Sequence, residues 1–583
     1  MDNIINLICL IFILVLIGVS VLNYFRSDRK LFDGQNINTK TEYVWLSIIL
    51  LLGVFIRIYD FGIVPGGINQ DEAMAAVDAK ALADYGTDRF GMKYPVHFTA
   101  WGFGQMSVLL SYLMVPFLKI GGLNFVTARL PILIISIIAL ICYYYFFKDL
   151  LGNKKALILT AFLCINPWHM MQSRWALDCN MFPHMFVIGM FLLYRSVRVY
   201  DLKMGNYKGR IYLYLSMLFF ALCMYSYGIS FYTVPVFLVV IFIYMLYKKI
   251  FKWKNLFISM FIYLLFSWPI YLVMIINMFK INTIETNFFT IPLFEESIRA
   301  NDILFFSEAP SEQITYNLKA LRRVVIFQGK DMPGNSIEGF GILYMCSLPL
   351  LILGIIYAVK RNKQSGNIKE KCGFFILFLF LIIGIIAGII TKSVNINRIN
   401  IIIYPLICFT GLGICFVLEY MKTFRYIIAL PYLVLFVMFI HTYFTSYAEL
   451  IKEKFYGDFD EALYYAGKFD PDKYYITSWI SPDANLPHVC EIITMFCHDV
   501  DSRYFQGKTD VVDGREVLPY HEKYNYISPD DIVEINPDDK IVYVIGMKHA
   551  ALFPGSDFYI EEFEGFCTVV PLWMHTDDQI HKK

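Results

Sequence analysis

Charged residues are scarce in this chain. Asp, Glu, Lys and Arg make up 17% of its 583 residues, whereas hydrophobic residues make up 57% and the mean hydropathy is +0.54. Because soluble globular proteins carry about 25% charged residues, this composition indicates a polytopic membrane protein. The net charge is only +1, so nothing in the charge balance points to a nucleic-acid partner.

Cysteine patterns that bind metals or form disulfide frameworks are also missing. The twelve cysteines are scattered, and none forms a CxxC pair or a zinc-binding spacing. Cys490, Cys497 and Cys567 lie in the C-terminal region, where we expect three free thiols, with one bridge as the alternative. The sequence also lacks internal repeats and low-complexity linkers, so neither a repeat array nor a disordered tether is predicted.

About twelve apolar stretches approach the length that a bilayer core requires. They span approximately residues 4–24, 43–59, 126–147, 156–170, 181–197, 211–227, 231–247, 256–279, 342–359, 374–390, 399–418 and 426–443. We interpret the first as an uncleaved spanning helix, because its basic residues follow the apolar run instead of preceding it. Residues 106–118 form a shorter stretch, interrupted by Pro116 and Lys119, and we expect a helix that lies on the outer surface.

Basic residues between the apolar stretches predict the orientation through the positive-inside rule. If residues 106–118 do not span, all six basic loops are cytoplasmic and both chain ends lie outside. The basic residues of these loops are Arg26, Arg29, Lys30, Lys148, Lys154, Lys155, Lys203, Lys208, Arg210, Lys248, Lys249, Lys252, Lys254, Lys360, Arg361, Lys363, Lys369, Lys371, Lys422 and Arg425. We therefore predict a multi-pass plasma-membrane protein with three outer loops, at residues 60–125, 168–180 and 280–341.

Three domains are predicted from this map. Residues 1–42 form an extra N-terminal transmembrane helix with a cytoplasmic link, and residues 43–445 form a transmembrane catalytic domain. Residues 446–583 form an extracytoplasmic α/β domain, in which residues 476–480 and 541–545 predict buried strands and residues 455–469 predict a helix.

Two adjacent acids, Asp71 and Glu72, stand at the exit of the second apolar stretch. They follow Pro65-Gly66-Gly67 and precede a helical pattern over residues 73–85. A helix N-terminus favours acids through its dipole and through capping, which is the structural interpretation of the pair. The functional interpretation is a base or a metal site that faces the compartment outside the cytoplasm.

Other outer loops carry charged residues that can serve the same site. Arg174 and Asp178 lie in the second outer loop, where they either pair along a helix or face one cavity together with Asp71. Arg129 and Arg398 lie at outer ends of apolar stretches, against the positive-inside trend, as do Lys392, Arg322 and Arg323. Cations so placed are candidates for binding an anionic lipid head group, and snorkelling is the alternative.

Two further residues of the first outer loop are candidates for the cavity lining. They are Tyr94 and His97, in the stretch Tyr94-Pro95-Val96-His97. A lone histidine is more often structural than a ligand, so for His97 the structural interpretation comes first. Together, the carboxylates and cations predict one pocket at the outer leaflet that contains Asp71, Arg129 and Arg174.

Four stretches carry a resemblance to a known family: INQDEAMAAVDAKALADYGTDRFGMKYPVHF, FVTARLPILIIS, CINPWHMMQSRWALDCN and NINRINIIIYP. The chain resembles GT-C glycosyltransferases, specifically the bacterial relatives of dolichyl-phosphate-mannose protein mannosyltransferases, which include the lipid A aminoarabinose transferases. The resemblance implies that Asp71 is the catalytic acid and that Arg129, Arg174 and Arg398 fall at basic positions of the family. It also implies that Asp178 lies near a second acidic position. The frequent His-Pro-Pro-Leu motif of the family is absent, and AWGFGQM stands in its place.

The sequence therefore predicts a GT-C-like membrane glycosyltransferase of the hexosyl or mannosyl type. A polyprenyl-phosphate sugar is the donor, and the acceptor is a hydroxyl of a protein, a glycolipid or a wall polymer. Asp71 takes the acceptor proton, and Glu72 holds Asp71 or the acceptor. Arg129, Arg174 and Arg398 bind the donor phosphate, and by family analogy the anomeric centre is inverted.

Alternatives for the cofactor and for the function stay open at this point. The arginines can neutralise the leaving phosphate, so we expect no metal cofactor, and a divalent metal shared by Asp71 and Asp178 is the alternative. A transporter or flippase of lipid-linked sugars is the alternative function, although such proteins tend to show broken helices or two-fold repeats at the bilayer midplane. A non-catalytic membrane scaffold that presents residues 446–583 is a further alternative. Replacing Asp71 with Asn separates an enzyme from a transporter or a scaffold.

Overall fold

The computed structural model describes residues 2–26, 36–101, 104–202, 206–294, 310–329, 331–392, 394–421, 425–481, 484–508, 511–512, 515–516, 518–532 and 535–575. Four basic residues used to predict the orientation lie outside these ranges: Arg29, Lys30, Lys203 and Lys422. Part of the third predicted outer loop, residues 295–309, also lies outside them.

The helices, numbered in chain order, are α1 (Asp2–Phe25), α2 (Thr39–Ile58), α3 (Gln70–Tyr85), α4 (Leu109–Gly121), α5 (Phe125–Leu151), α6 (Asn153–Cys164), α7 (Pro167–Gln172), α8 (Asp178–Val199), α9 (Tyr207–Cys223), α10 (Ser230–Tyr247), α11 (Trp253–Phe279), α12 (Pro310–Leu321), α13 (Leu348–Gln364), α14 (Ile368–Ile390), α15 (Ile396–Ile399), α16 (Ile403–Tyr420), α17 (Ala429–Phe444), α18 (Ser446–Lys454), α19 (Gly457–Ala466), α20 (Pro487–Cys497), α21 (Ser502–Phe505) and α22 (Tyr520–Lys523). The surface stretch predicted at residues 106–118 is α4, which starts and ends three residues later than predicted.

Within the described ranges, nine helices are long and apolar enough to cross a membrane. These candidate spans are Ile4–Phe25, Thr39–Ile58, Phe125–Leu151, Ser230–Tyr247, Trp253–Phe279, Met345–Gln364, Ile368–Ile390, Ile396–Tyr420 and Tyr426–Phe444. The other three predicted stretches coincide with the 12-residue α6, the 17-residue α9 and α8, which begins at Asp178 and carries Arg195 and Arg198 in its last turns. The polytopic helical fold is confirmed, and the count of about twelve spans stays a prediction.

The chain forms two compact units. The helical unit comprises Met1–Phe61, Ile132–Leu272 and Arg299–Tyr447, and the sheet-containing unit comprises Gly62–Pro131, Val273–Ile298 and Ala448–Lys583. In the helical unit, α16 is buried along almost its whole length and packs closely against α13. A Cβ on Gly354 of α13 would lie 1.7 Å from the carbonyl oxygen of Phe409 in α16, so only glycine permits this approach.

The sheet-containing unit is built on a mixed five-stranded sheet. The strands, numbered in chain order, are β1 (Phe98–Thr99), β2 (Gln105–Met106), β3 (Ile284–Glu285), β4 (Thr290–Ile291), β5 (Lys473–Thr477), β6 (Trp479–Ser481), β7 (Ala484–Asn485), β8 (Val511–Val512), β9 (Arg515–Glu516), β10 (Tyr524–Ile527), β11 (Ile541–Gly546), β12 (Phe558–Phe563) and β13 (Phe566–Pro571), and five of them form this sheet. The strand order in the sheet is β10-β5-β11-β13-β12. Strands β10, β5 and β11 pair in parallel, whereas β13 pairs antiparallel with both of its neighbours, β11 and β12. A C-terminal α/β fold is thereby confirmed.

Two local predictions in this region differ from the structure. The strand predicted at residues 476–480 is divided into β5 and β6 at Ser478. The backbone N–H of Ser478 donates a hydrogen bond to the carbonyl oxygen of Ile527, and its carbonyl oxygen accepts one from the N–H of Leu486. The helix predicted at residues 455–469 is shorter, because Tyr456 has a left-handed backbone (φ +60°) that separates α18 from α19. Both breaks arise from tertiary contacts that periodicity does not encode.

Candidate functional site

The start of α3 carries the adjacent acids. Asn69 is the N-cap residue, and its side chain accepts a hydrogen bond of 2.9 Å from the backbone N–H of Asp71. Asp71 and Glu72 both lie in the first turn, where the helix dipole favours acids. This placement fits the structural interpretation of the pair, and the two side chains differ in their environments.

Glu72 is fully buried and paired with Arg129. The guanidinium of Arg129 donates from Nε to Glu72 Oε1 at 2.7 Å and from Nη2 to Glu72 Oε2 at 2.8 Å. It also donates to the carbonyl oxygens of Pro65 at 2.7 Å and Gly67 at 2.9 Å. Both side chains are 0% exposed. A bidentate guanidinium–carboxylate pair has a fixed geometry, so Arg129 ties the chain at Pro65–Gly67 to the first turn of α3.

Asp71 has a different environment. Its side chain is half-buried, and Oδ1 accepts a hydrogen bond of 2.6 Å from the indole Nε1–H of Trp101. A charge-assisted bond of this length fixes the orientation of a carboxylate. Trp101 belongs to the stretch that stands where the family has His-Pro-Pro-Leu, and its neighbours Gly102 and Phe103 lie outside the described residues.

The C-terminal segment lies against this loop. A Cβ on Gly67 (φ +73°) would lie 2.4 Å from the carbonyl oxygen of Phe455 and 2.8 Å from the backbone nitrogen of Gly457. Burial, followed by the neighbouring Cys490 and Asp71, raises the pKa of Tyr456, which lies between these two residues in the chain. Tyr456 is therefore a neighbour of Asp71, and no local sequence pattern indicated it.

The side chain of Arg174 packs against the C-terminal end of α2 and the residues that follow it. Its guanidinium donates to the carbonyl oxygens of Ile56 (3.1 Å), Arg57 (2.8 Å), Tyr59 (2.7 Å) and Asp60 (3.1 Å). The side chain is 0% exposed. These contacts satisfy carbonyl groups that the end of a helix leaves without intrahelical partners, and a cation there complements the helix dipole.

Asp178 and Arg398 are the other charged candidates in the helical unit. Asp178 is 6% exposed and is the first residue of α8. Arg398 lies in the short helix α15, is half-buried, and donates from Nη1 to the carbonyl oxygen of Lys392 at 2.6 Å. Neither position by itself establishes a role in donor binding, so both assignments stay predictions.

Tyr94 and His97 flank Val96 in the chain, and the backbone of Val96 is hydrogen-bonded to β4. The Val96 N–H donates to the carbonyl oxygen of Thr290 at 3.0 Å. Tyr94 is 43% exposed, whereas His97 is 2% exposed and its ring meets that of Phe294 edge-on at 5.9 Å. The burial of His97 fits the structural interpretation given to it, and the lining role of both residues stays a prediction.

A second group of buried charges lies near the end of α3. Arg89 donates to Asp78 Oδ2 at 2.5 Å, and both side chains are nearly inaccessible. Asp88 is also buried, and its Oδ1 accepts from the backbone N–H groups of Phe90 at 3.0 Å and Met92 at 2.8 Å. Burial, followed by the nearby charge of Asp78, raises the pKa of Asp88 to about 7.

Across the described ranges, no group of three or more His, Cys, Asp or Glu side chains is arranged to hold a metal ion. All twelve cysteines are buried and unbridged, including Cys490, Cys497 and Cys567. The alternative of a metal shared by Asp71 and Asp178 stays a prediction.

No protein-family model matches the sequence, and no curated protein sequence matches it. Among solved structures, the chain is similar to ArnT from Cupriavidus metallidurans, both in the apo state and bound to undecaprenyl phosphate. Each of these two matches has a TM-score of 0.52 and 11% identity, and covers 91% of this chain and 98% of ArnT. The chain is also similar to the oligosaccharyltransferase AglB from Archaeoglobus fulgidus, with a TM-score of 0.49 and 14% identity over 78% of this chain and 63% of AglB.

The similarity to ArnT extends over almost the whole of both chains. Because the two sequences are only 11% identical, this similarity establishes a shared fold and does not establish shared substrates. The chain therefore has the fold of the GT-C glycosyltransferases, which confirms the fold that the sequence resemblance implied.

Proposed function

We propose that this protein is a membrane glycosyltransferase that moves a sugar from a polyprenyl-phosphate donor to an acceptor hydroxyl on the outer face of the membrane. The shared fold with ArnT supports the reaction class. One ArnT structure contains undecaprenyl phosphate, and we extend that class of lipid to this chain as part of the proposal. The hexosyl or mannosyl type follows only from the family resemblance in the sequence.

The observation that carries the proposal is the difference between the two adjacent acids. Glu72 is fully buried and its charge is matched by Arg129. Asp71 is half-buried, and Trp101 orients its carboxylate. A general base has to reach the proton that it abstracts and has to be held in position. Of the two acids, Asp71 meets both requirements, so we assign it the base.

The proposed reaction is a single displacement. As Asp71 takes the proton, the acceptor oxygen attacks the anomeric carbon of the donor sugar. The bond from that carbon to the phosphate oxygen breaks, and polyprenyl phosphate leaves with the electron pair. Attack from the face opposite the leaving group inverts the anomeric centre. Glu72 acts on this step indirectly, because its pair with Arg129 fixes the first turn of α3.

Cations would stabilise the negative charge of the leaving phosphate. Arg129, Arg174 and Arg398 stay the predicted phosphate ligands. Arg129 and Arg174 are each engaged with protein oxygens, so phosphate binding by either would require an exchange of these contacts. Arg398 is the more accessible of the three.

The proposal invokes no metal, because guanidinium groups can supply the needed charge. A divalent ion shared by Asp71 and Asp178 is the alternative. Activity that falls in EDTA and returns on addition of Mg²⁺, Mn²⁺ or Zn²⁺ would favour that alternative.

The first prediction concerns Asp71→Asn. A neutral amide cannot accept the acceptor proton, so we expect transfer to fall by about 10²- to 10⁴-fold while the thermal unfolding of the purified protein is retained. The measurement is mass spectrometry of surface proteins, glycolipids and wall polymers from a deletion strain that expresses either wild-type protein or the variant. A hexose-type mass increment should be present with the wild type and missing with Asp71→Asn.

A transporter or flippase of lipid-linked sugars would give a different result. The same increment with Asp71→Asn as with wild type, at equal protein level, would exclude Asp71 as the base. An increment that is equal in the deletion strain and in wild-type cells would remove the proposed activity altogether.

A further inference from the structure

A short β-hairpin follows α11 directly. It consists of β3 and β4, which pair Ile284 with Ile291 and Glu285 with Thr290. Thr286 closes its turn: the N–H of Thr286 donates to the carbonyl oxygen of Phe289 at 3.0 Å, and its Oγ1 accepts from the N–H of Phe289 at 2.9 Å. The tip therefore has a defined conformation, and it presents Phe288.

Hydrogen bonds hold the hairpin at its base and at its turn. Asn277, in the last turns of α11, donates to the carbonyl oxygen of Pro292 at 2.9 Å and accepts from the N–H of Phe294 at 2.9 Å. On the other side, Lys93 Nζ donates to the carbonyl oxygen of Asn287 at 2.9 Å. The Val96–Thr290 bond described above adds a backbone link. An element held by this many bonds presents its side chains in fixed directions.

Apolar side chains are exposed from the end of α11 to the hairpin tip. The exposed fractions are 62% for Met278, 68% for Phe279, 46% for Ile281, 39% for Ile284 and 80% for Phe288. Single exposed apolar residues are normal on soluble surfaces. This series differs, because it begins on a helix that is apolar enough to span a membrane and continues past the end of that helix, with exposed polar residues (Lys280, Asn282, Thr283, Glu285 and Asn287) between its members.

We propose that this hairpin is a membrane-interface element, and that Phe288 and Ile284 insert into the boundary between head groups and acyl chains next to the C-terminal end of α11. An extended chain spans at most about 3.6 Å per residue, so Ile281 lies within about 7 Å of Phe279. Aromatic side chains are enriched at this depth of a bilayer. Lipid covers the apolar tip, which would otherwise be a rigid hydrophobic surface in water.

Insertion of the hairpin also positions part of the first outer loop. The hairpin is bonded to Val96 and Lys93, so the segment that carries Tyr94 and His97 is held at the membrane surface through it. The proposal requires a membrane protein but does not depend on the glycosyltransferase assignment. Its test uses neither donor nor acceptor, so the two can fail separately.

The experiment places a fluorescent label on the tip. Phe288→Cys is labelled with bimane and reconstituted into vesicles of phosphatidylcholine and phosphatidylglycerol that carry nitroxides either on the head group or high on the acyl chain. All twelve native cysteines are buried, so the wild-type protein treated in the same way measures background labelling. Phe279→Cys at the end of α11 and Ser556→Cys, an exposed polar position of the same unit, are the matched controls.

We expect the label at position 288 to be quenched by both nitroxide lipids as strongly as the label at position 279, and to be shielded from aqueous iodide. Where Phe288→Cys unfolds the protein, the neighbouring exposed Asn287→Cys is used in its place. Iodide quenching equal to that at position 556, with no nitroxide effect, would overturn the proposal. In that case the tip faces water, or another protein covers it.

Discussion

At the scale of single residues, Asp71 and Glu72 show how chain neighbours acquire different chemistry. Successive residues of a helix point about 100° apart, so one acid turns into the protein and the other turns toward its surface. Glu72 meets the guanidinium of Arg129, and Asp71 meets the indole of Trp101. The pair is thus one structural acid and one accessible acid.

The second prediction is that Glu72→Gln destabilises the protein. The change leaves the guanidinium of Arg129 buried without a matching charge, and breaking one partner of a buried pair costs about 3–5 kcal/mol. The measurement is thermal unfolding of the protein in detergent. Asp71→Asn is the matched control, since it removes one negative charge at the adjacent position and should leave unfolding nearly unchanged. Equal unfolding temperatures for Glu72→Gln and wild type would contradict the clamp assigned to Arg129.

The third prediction concerns Asp88 and pH. Its folded pKa of about 7 lies above that of an unfolded Asp, about 3.9. Between these values the unfolded state releases a proton that the folded state retains, so stability falls as pH rises from about 4 to 7. The loss is at most roughly 4 kcal/mol, because each pKa unit corresponds to about 1.4 kcal/mol.

Asp88→Asn should flatten this dependence, because Asn can still accept the two backbone hydrogen bonds and does not ionise. The measurement is the difference between the unfolding temperatures at pH 5 and pH 8 for each variant; pH 5 lies inside the range in which stability falls, and pH 8 lies above it. Asp557→Asn, an exposed acid of the same unit, serves as the control. An unchanged difference in Asp88→Asn would show that another group controls the pH response.

At the scale of elements, the loop before α3 and the turn between α18 and α19 form one junction. Gly67 has a left-handed backbone and touches the backbone of Phe455 and Gly457. Tyr456, between these two residues, is itself left-handed. Non-glycine residues in this conformation are strained, and such strain persists only where the surroundings hold it. The C-terminal segment therefore supports the loop that positions Asp71.

The fourth prediction is that Gly67→Ala separates these two elements. Ala is disfavoured at φ +73°, and its Cβ would overlap the carbonyl oxygen of Phe455. We expect a loss of at least about 1 kcal/mol of stability and a reduced transfer activity. Gly555→Ala is the control, because a Cβ there meets no atom within 4 Å. If Gly67→Ala retains wild-type stability and activity, the junction has no supporting role.

At the scale of the whole molecule, sequence order and spatial grouping differ. The division predicted at residues 445 and 446 treats the C-terminal region as a separate domain. The compact unit that contains this region also includes Gly62–Pro131 and Val273–Ile298. Helix α20 of the C-terminal region packs against α3, which carries Asp71. The predicted boundary follows chain order, and the domain division stays a prediction.

The sequence by itself determined the polytopic membrane class, most helix positions, the C-terminal α/β region and the GT-C resemblance. Hydropathy and local periodicity are properties of consecutive residues, so they can be read from a linear chain. Only the tertiary structure decided that Arg129 pairs with Glu72, that Arg174 satisfies the end of α2, and that Trp101 holds Asp71. These contacts join residues that are 30 to 118 positions apart, and their partners are selected by packing, which no local pattern records.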